Sequence, residues 1–81
     1  MKSRILVVED NPLNRELLCD WLDTEGYEVA STADLKAAFE LVRSLQPHAV
    51  LLDIQVGGDD GLVLVTWIRQ EPAFRGIPVI G

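Results

Sequence analysis

The chain has 81 residues, 48% of them hydrophobic, with 7 Lys or Arg against 13 Asp or Glu and a formal net charge of −6. That length allows one small domain, and that apolar content supports a packed core rather than a disordered segment. The acidic balance excludes the basic face that nucleic acid or an anionic membrane surface requires, so neither is expected as a direct partner.

Ile5-Leu6-Val7-Val8 is short, β-branched and wholly apolar, which predicts a strand buried on both faces, as in a parallel sheet. Lys2 and Arg4 precede it, but the run is far too short for a signal sequence and Glu9-Asp10 ends it. No transmembrane stretch follows, and the expected location is cytoplasmic. Asn11-Pro12 predicts a helix start, with Asn11 as cap and Pro12 at the first helical position. Leu13, Leu17, Cys19, Trp21 and Leu22 recur at roughly helical spacing, and Gly26 stops the helix at its C-terminal cap. Cys19, the single cysteine, allows no internal disulfide and is expected as a small buried hydrophobe.

Tyr27-Glu28-Val29-Ala30 alternates as a strand near a sheet edge does. A second helix is predicted from about Asp34 to Leu45, ended by Gln46-Pro47. Ala49-Val50-Leu51-Leu52 is a second two-sided apolar run, and it delivers Asp53 at its carboxyl end. Gln55 to Asp60 reads as a Gly/Asp-rich loop, Gly61 opens a third helix with Asp60 capping it, and Gly76 to Gly81 starts a fourth strand. Strand and helix thus alternate three times before a last strand, the pattern of parallel pairing with crossover helices. An apolar strand at the chain's end, with no helix to cover it, leaves a sheet edge and face open. The expectation is a partial α/β domain that associates into a two-fold homodimer or higher oligomer.

Adjacent parallel strands bring their carboxyl ends to one rim, which is where α/β sheets place their ligand crevice. Glu9, Asp10 and Asp53 are therefore expected together. Three carboxylates in one crevice repel, and such a cluster needs a cation or a raised pKa to be tolerated. Cysteine and histidine clusters are absent, so zinc is not expected, whereas hard oxygen ligands favour Mg²⁺. Such a metal accepts a phosphate oxygen beside the carboxylates, and Asp53 could then serve as the nucleophile that becomes an aspartyl phosphate. The remaining candidates have plainer roles. His48 lies at the opposite end of the central strand and reads as a solvated loop residue. Trp21 and Trp67 occupy apolar helical positions and predict packing in the core or at an interface. Gly57-Gly58 lacks the Gly-Lys-Ser/Thr of a phosphate-binding loop.

Ile5-Leu6-Val7-Val8-Glu9-Asp10-Asn11 with Asn14, Val50-Leu51-Leu52-Asp53-Ile54-Gln55, Asp60-Gly61-Leu62 and Ile77-Pro78-Val79-Ile80 stand in order and at matching separations. In these stretches, which cover the whole chain, the sequence resembles the receiver domains of two-component response regulators, especially single-domain, chemotaxis-regulator-like members and the receivers of hybrid kinases. The resemblance implies a flavodoxin-like parallel sheet with helices on both faces, βαβαβαβ with strand order 2-1-3-4. Residues 1–81 would form a partial receiver domain lacking the last strand and two helices. Asp53 would accept a phosphoryl group from a sensor histidine kinase or phosphotransfer protein. Asp10 would ligate Mg²⁺ directly, Glu9 mostly through water, and the backbone carbonyl of Gln55 would supply a further ligand.

Two departures from the family pattern bear on this. Val56-Gly57 replaces the usual Met-Pro or Leu-Pro pair, so a looser loop is expected after Asp53. The family's switch Thr or Ser and its phosphate-pairing Lys would lie beyond Gly81. The expectation is a signalling domain rather than an enzyme, impaired in signalling, with any autophosphatase activity lost. The alternative is a non-signalling half-domain whose main property is homodimerisation through the exposed sheet edge.

Overall fold

The apolar runs pair in parallel, as strands hydrophobic on both sides must when helices cover them. The computed structural model describes residues 2–53, 55, 56 and 59–81. Its elements are β1 (Arg4–Val8), α1 (Pro12–Thr24), β2 (Glu28–Thr32), α2 (Leu35–Leu45), β3 (Ala49–Leu52), β4 (Gln55–Val56), β5 (Asp59–Asp60), α3 (Leu62–Gln70) and β6 (Val79–Ile80). The main sheet has the order β2-β1-β3-β6, parallel throughout, which is the 2-1-3-4 order expected for the flavodoxin-like fold.

One stretch differs from its sequence reading. The segment taken as an open loop carries a short antiparallel ladder, with Gln55 opposite Asp60 and Val56 opposite Asp59. Backbone donors and acceptors pair wherever two arms run alongside each other, whatever their side chains. A run of Gly and Asp has low strand propensity and does not advertise that pairing.

Local chemistry sets the helix ends. The Asn11 side chain accepts the backbone N–H of Asn14, and Pro12 opens α1. Gly26 follows the cap residue Glu25 at φ 92°, a conformation that glycine adopts without a Cβ penalty. Asp34 caps α2 by accepting from Lys36 and Ala37. Asp60 accepts the N–H of Leu62 at 2.9 Å, so the expected acidic cap of α3 acts from one position outside Gly61.

Gln46 ends α2 in the left-handed region at φ 46°, and Arg4 explains why a non-glycine residue is held there. The Arg4 guanidinium donates to the carbonyls of Leu45 at 2.8 Å and Gln46 at 3.0 Å, tying the end of α2 to the start of β1. His48 joins the same corner. It is exposed, as expected of a loop residue, but its Nδ1 accepts the Arg4 backbone N–H at 2.8 Å and its own N–H donates to the Arg4 carbonyl.

The two sheet faces are filled unequally. On one, Leu6, Val8, Val50 and Leu52 meet Leu35, Ala38 and Val42 of α2 and Leu64 and Ile68 of α3 in one continuous core. Trp67 rests at its margin between Phe39 and Phe74, with ring centroids 5.0 and 5.4 Å away and the Arg43 guanidinium 5.3 Å above it. On the other face, Ile5, Val7 and Leu22 form a smaller cluster, edged by Leu18, half-buried Cys19, Val29, Ala49 and Leu51.

Helix α1 corrects its sequence reading. Leu13, Leu17 and Trp21 are 64%, 58% and 60% exposed, so they are not core positions. Residues four apart share one stripe of a helix. Here Leu18 and Leu22 form the stripe that meets the sheet, and Leu13, Leu17 and Trp21 form a second one turned outward. Helical periodicity identifies both stripes as apolar but does not say which of them a neighbour covers.

Candidate functional site

Strand register builds the site. Val8 of β1 lies level with Leu52 of β3, so the next residue of each strand, Glu9 and Asp53, emerges at the same rim. The Asp53 N–H donates to the Val8 carbonyl and the Glu9 N–H to the Thr32 carbonyl, both at 3.0 Å, which continues the ladder one residue past the strands. Asp10 follows Glu9 as the chain turns into α1. Carboxylate oxygens of Glu9, Asp10 and Asp53 all lie within 4.8 Å of one another. The convergence expected from the sequence is present in the structure.

The three carboxylates are not equivalent. Glu9 is buried at 8% exposure, the one buried polar or charged side chain among the described residues, whereas Asp10 and Asp53 are exposed. Burial pushes the Glu9 carboxyl above the usual carboxylate range; contact with Asp53 and the charge of Asp10 push the same way, and a hydrogen bond from Asn14 opposes them. A cation among the three would offset that repulsion.

The first turn of α1 supplies what holds Glu9. Asn14 Nδ2 donates to Glu9 Oε1 at 3.1 Å, and the Arg15 guanidinium donates to the Glu9 carbonyl at 3.0 Å. Reading the sequence matches Asn14 to a motif without giving it a task and does not single out Arg15. A signal did exist. A residue three positions after a helix cap commonly reaches back toward the chain before the helix, and Asn11 and Asn14 have that spacing. A cleft of about 340 Å³ opens beside the carboxylates, with Glu9, Asn14 and Asp53 at its polar rim and Leu18, Leu51 and Ile80 along its apolar wall.

The donor set fits a hard divalent cation. Mg²⁺ is bound through one or two carboxylates while keeping several waters, and three carboxylates of which two are exposed provide for that. The other expected ligand, the Gln55 carbonyl, belongs to β4, but Ile54 before it and the side chain of Gln55 itself lie outside the described residues. So do Gly57 and the side chain of Val56, on which the expectation of a looser loop fell. No described helix is long and apolar enough to cross a membrane.

Comparison with known proteins agrees with this architecture. Residues 5–81 match the response regulator receiver domain family. The polar-differentiation response regulator DivK of Brucella anthropi is 36% identical over 80 residues, which cover 99% of this chain and 65% of that protein. Among solved structures, the chemotaxis response regulator CheY4 of Vibrio cholerae superposes with a TM-score of 0.91 at 22% identity, over 98% of this chain and 66% of that one, and shares its fold. The receiver domain of sensor histidine kinase PA1611 from Pseudomonas aeruginosa superposes with a TM-score of 0.88 at 30% identity, over 98% of this chain and 65% of that one. That structure has a magnesium ion coordinated in its active-site cleft. The present chain spans about 65% of the length of the curated relatives it matches. With its strand order, its level strand ends and its acidic rim, this chain belongs to the family of two-component response regulator receiver domains, which are signalling domains.

Proposed function

We propose that the chain is a phosphoacceptor. Asp53 takes a phosphoryl group from a phosphohistidine on a sensor histidine kinase or phosphotransfer protein, in the cytoplasm. The observation that carries this reading is the convergence of Glu9, Asp10 and Asp53 within 4.8 Å at one sheet rim, in a chain of this family. Asp10 and Asp53 would hold Mg²⁺ directly, Glu9 chiefly through water, with the Gln55 carbonyl as a further ligand. Bound there, the ion would offset charge on the phosphoryl oxygens.

The work of the chain itself follows from the geometry. The ladder bond to Val8 fixes the backbone of Asp53, and its exposed carboxylate is accessible to a donor. One of its oxygens attacks phosphorus as the bond to the donor nitrogen breaks. The nitrogen keeps the electron pair, and an acyl phosphate remains on Asp53.

The test uses phosphoramidate, a small donor with the same nitrogen–phosphorus bond, with and without Mg²⁺, and mass spectrometry of the intact chain. Gain of one phosphoryl group that needs Mg²⁺ and disappears in Asp53→Asn is the expected result. A wild-type chain that stays unmodified, or a variant that is modified equally, overturns the proposal.

A second reading is supported by the exposed stripe of Leu13, Leu17 and Trp21 on α1, together with Ile80, 53% exposed on the edge strand β6. Apolar groups of that size left open favour covering by a second copy of the chain. We read the chain as a two-fold homodimer. Sedimentation velocity should give a dimer that Trp21→Lys dissociates, and a wild-type monomer at high concentration rejects it.

A further inference from the structure

We infer that a second copy of the chain, seated on α1 and β6, closes the cleft beside Asp53, so that self-association and phosphoryl transfer exclude each other; this rests on the dimer reading above. The cleft, about 340 Å³, runs between the two elements that such a copy covers. Asn14 and Leu18 of α1 form one side, Ile80 of β6 forms the other, and Glu9 and Asp53 stand at the rim. A body that touches both the apolar stripe of α1 and Ile80 has to cross the cleft.

The stripe is turned toward that cleft. Successive residues of a helix are rotated by about 100°. Cys19 shares a cluster with Val29 on the β2 side, whereas Leu18 and Asn14 line the cleft. Going round α1 in that direction, from Cys19 through Leu18 to Asn14, the next positions are Trp21, Leu17 and Leu13. Helix α1 lies over β1 and β2. Strand β6 stands two strand spacings from β1, about 10 Å, which is also the distance at which two helices pack side by side. The strip over β3 and β6 is therefore one helix wide, and no helix among the described residues covers it on this face.

One face thus carries both an apolar ridge and, beside it, an uncovered apolar strip of matching width. A two-fold axis sets the ridge of each copy against the strip of the other, and one self-complementary contact buries both. Helix α3 offers no such ridge, because its exposed Leu62 and Val63 are adjacent in sequence and do not share a stripe. In the associated state the Asp53 carboxylate lies beneath the partner, out of reach of a phosphohistidine. By reciprocity, a phosphoryl group on Asp53 adds bulk and charge to the cleft and opposes association.

The experiment measures access to Asp53 directly, without relying on phosphorylation. Carboxylates of the whole chain are coupled to glycine ethyl ester with a carbodiimide, and the label at each position is read by peptide mass spectrometry. Glu40, exposed on α2 across the sheet, serves as the internal reference. Sedimentation supplies the dimer's dissociation constant. By mass action about 85% of chains are monomeric at a tenth of that concentration and about 20% at ten times it, so the labelling rate of Asp53 relative to Glu40 should fall about fourfold between the two. Trp21→Lys, with circular dichroism to confirm folding, should abolish the fall. A wild-type dimer whose Asp53 is labelled equally at both concentrations, or a fall that persists in Trp21→Lys, overturns this inference, and the first of these leaves the dimer reading standing. A wild-type chain that stays monomeric overturns both.

Discussion

The two faces of the sheet use the same kind of strand and reach different outcomes. Toward α2 and α3, alternate residues of β1 and β3 join two helices in a core where Leu6, Val42, Val50, Leu64 and Ile68 are fully buried. Toward α1, the other set of alternate residues finds a single helix, and the buried cluster shrinks to Ile5, Val7 and Leu22. The first face accounts for most of the burial that stabilises the fold. The second borders the acidic rim, where Asn14 and Arg15 on α1 hydrogen-bond to Glu9. Among the described residues, the acidic rim therefore borders the face with the smaller buried cluster.

The largest expected effect tests the unequal burial itself. Leu64→Ala removes a fully buried side chain from the filled face and should cost about 3–5 kcal/mol, while Leu22→Ala on the thin face should cost about 2 kcal/mol. Urea unfolding of both variants checks this, and equal losses would erase the distinction. Next comes the brace at the end of α2. Arg4→Met keeps most of the aliphatic stem but deletes two guanidinium bonds to helix-end carbonyls, and a loss of about 1–3 kcal/mol is expected by the same measurement. The Mg²⁺ affinity should be unaffected, since that brace lies at the opposite end of β1 from Glu9.

A subtler test concerns Glu9. Its folded-state pKa is raised, first by burial and then by Asp53 and Asp10, so the folded chain holds that proton more tightly than the unfolded chain does. The resulting stabilisation is fully present below the unfolded carboxyl's pKa and is lost as pH rises through the raised folded value. In a chelator, the wild-type chain should therefore lose stability relative to Glu9→Gln across that window. Addition of Mg²⁺ should narrow the difference. Urea midpoints measured against pH for the two proteins check the sign, and the opposite slope would mean that Glu9 is stabilised as the anion.

The smallest effect on stability belongs to the outward stripe. Trp21→Lys should change unfolding free energy by less than about 0.5 kcal/mol in the dilute chain, because that side chain is exposed, while abolishing association at high concentration. A large loss in the dilute chain would show that the stripe is packed within a single copy.

Much of this was legible in the residues. Ile5 to Val8 and Ala49 to Leu52 are apolar on every position, which only a strand covered on both sides tolerates, and each run is followed by an acid. Asn11-Pro12, Gly26 and Asp34 mark helix ends through hydrogen bonds and backbone angles that act within a few residues. The outward placement of Trp21, Leu13 and Leu17 was not legible, for a different reason. Their spacing is as helical as that of Leu18 and Leu22, and exposure depends on a neighbour in space rather than on the helix that bears them.

The residues alone were thus enough for the alternation of the four main-sheet strands with three helices, for the caps, and for the three carboxylates at strand ends, because each follows from short-range sterics and period. The tertiary structure decided that β1 and β3 end level, that Glu9 alone of the three acids is buried, and that Asn14 and Arg15 fold back onto it. Register and burial are set by how whole elements pack against one another, and no local pattern of residues contains that distance.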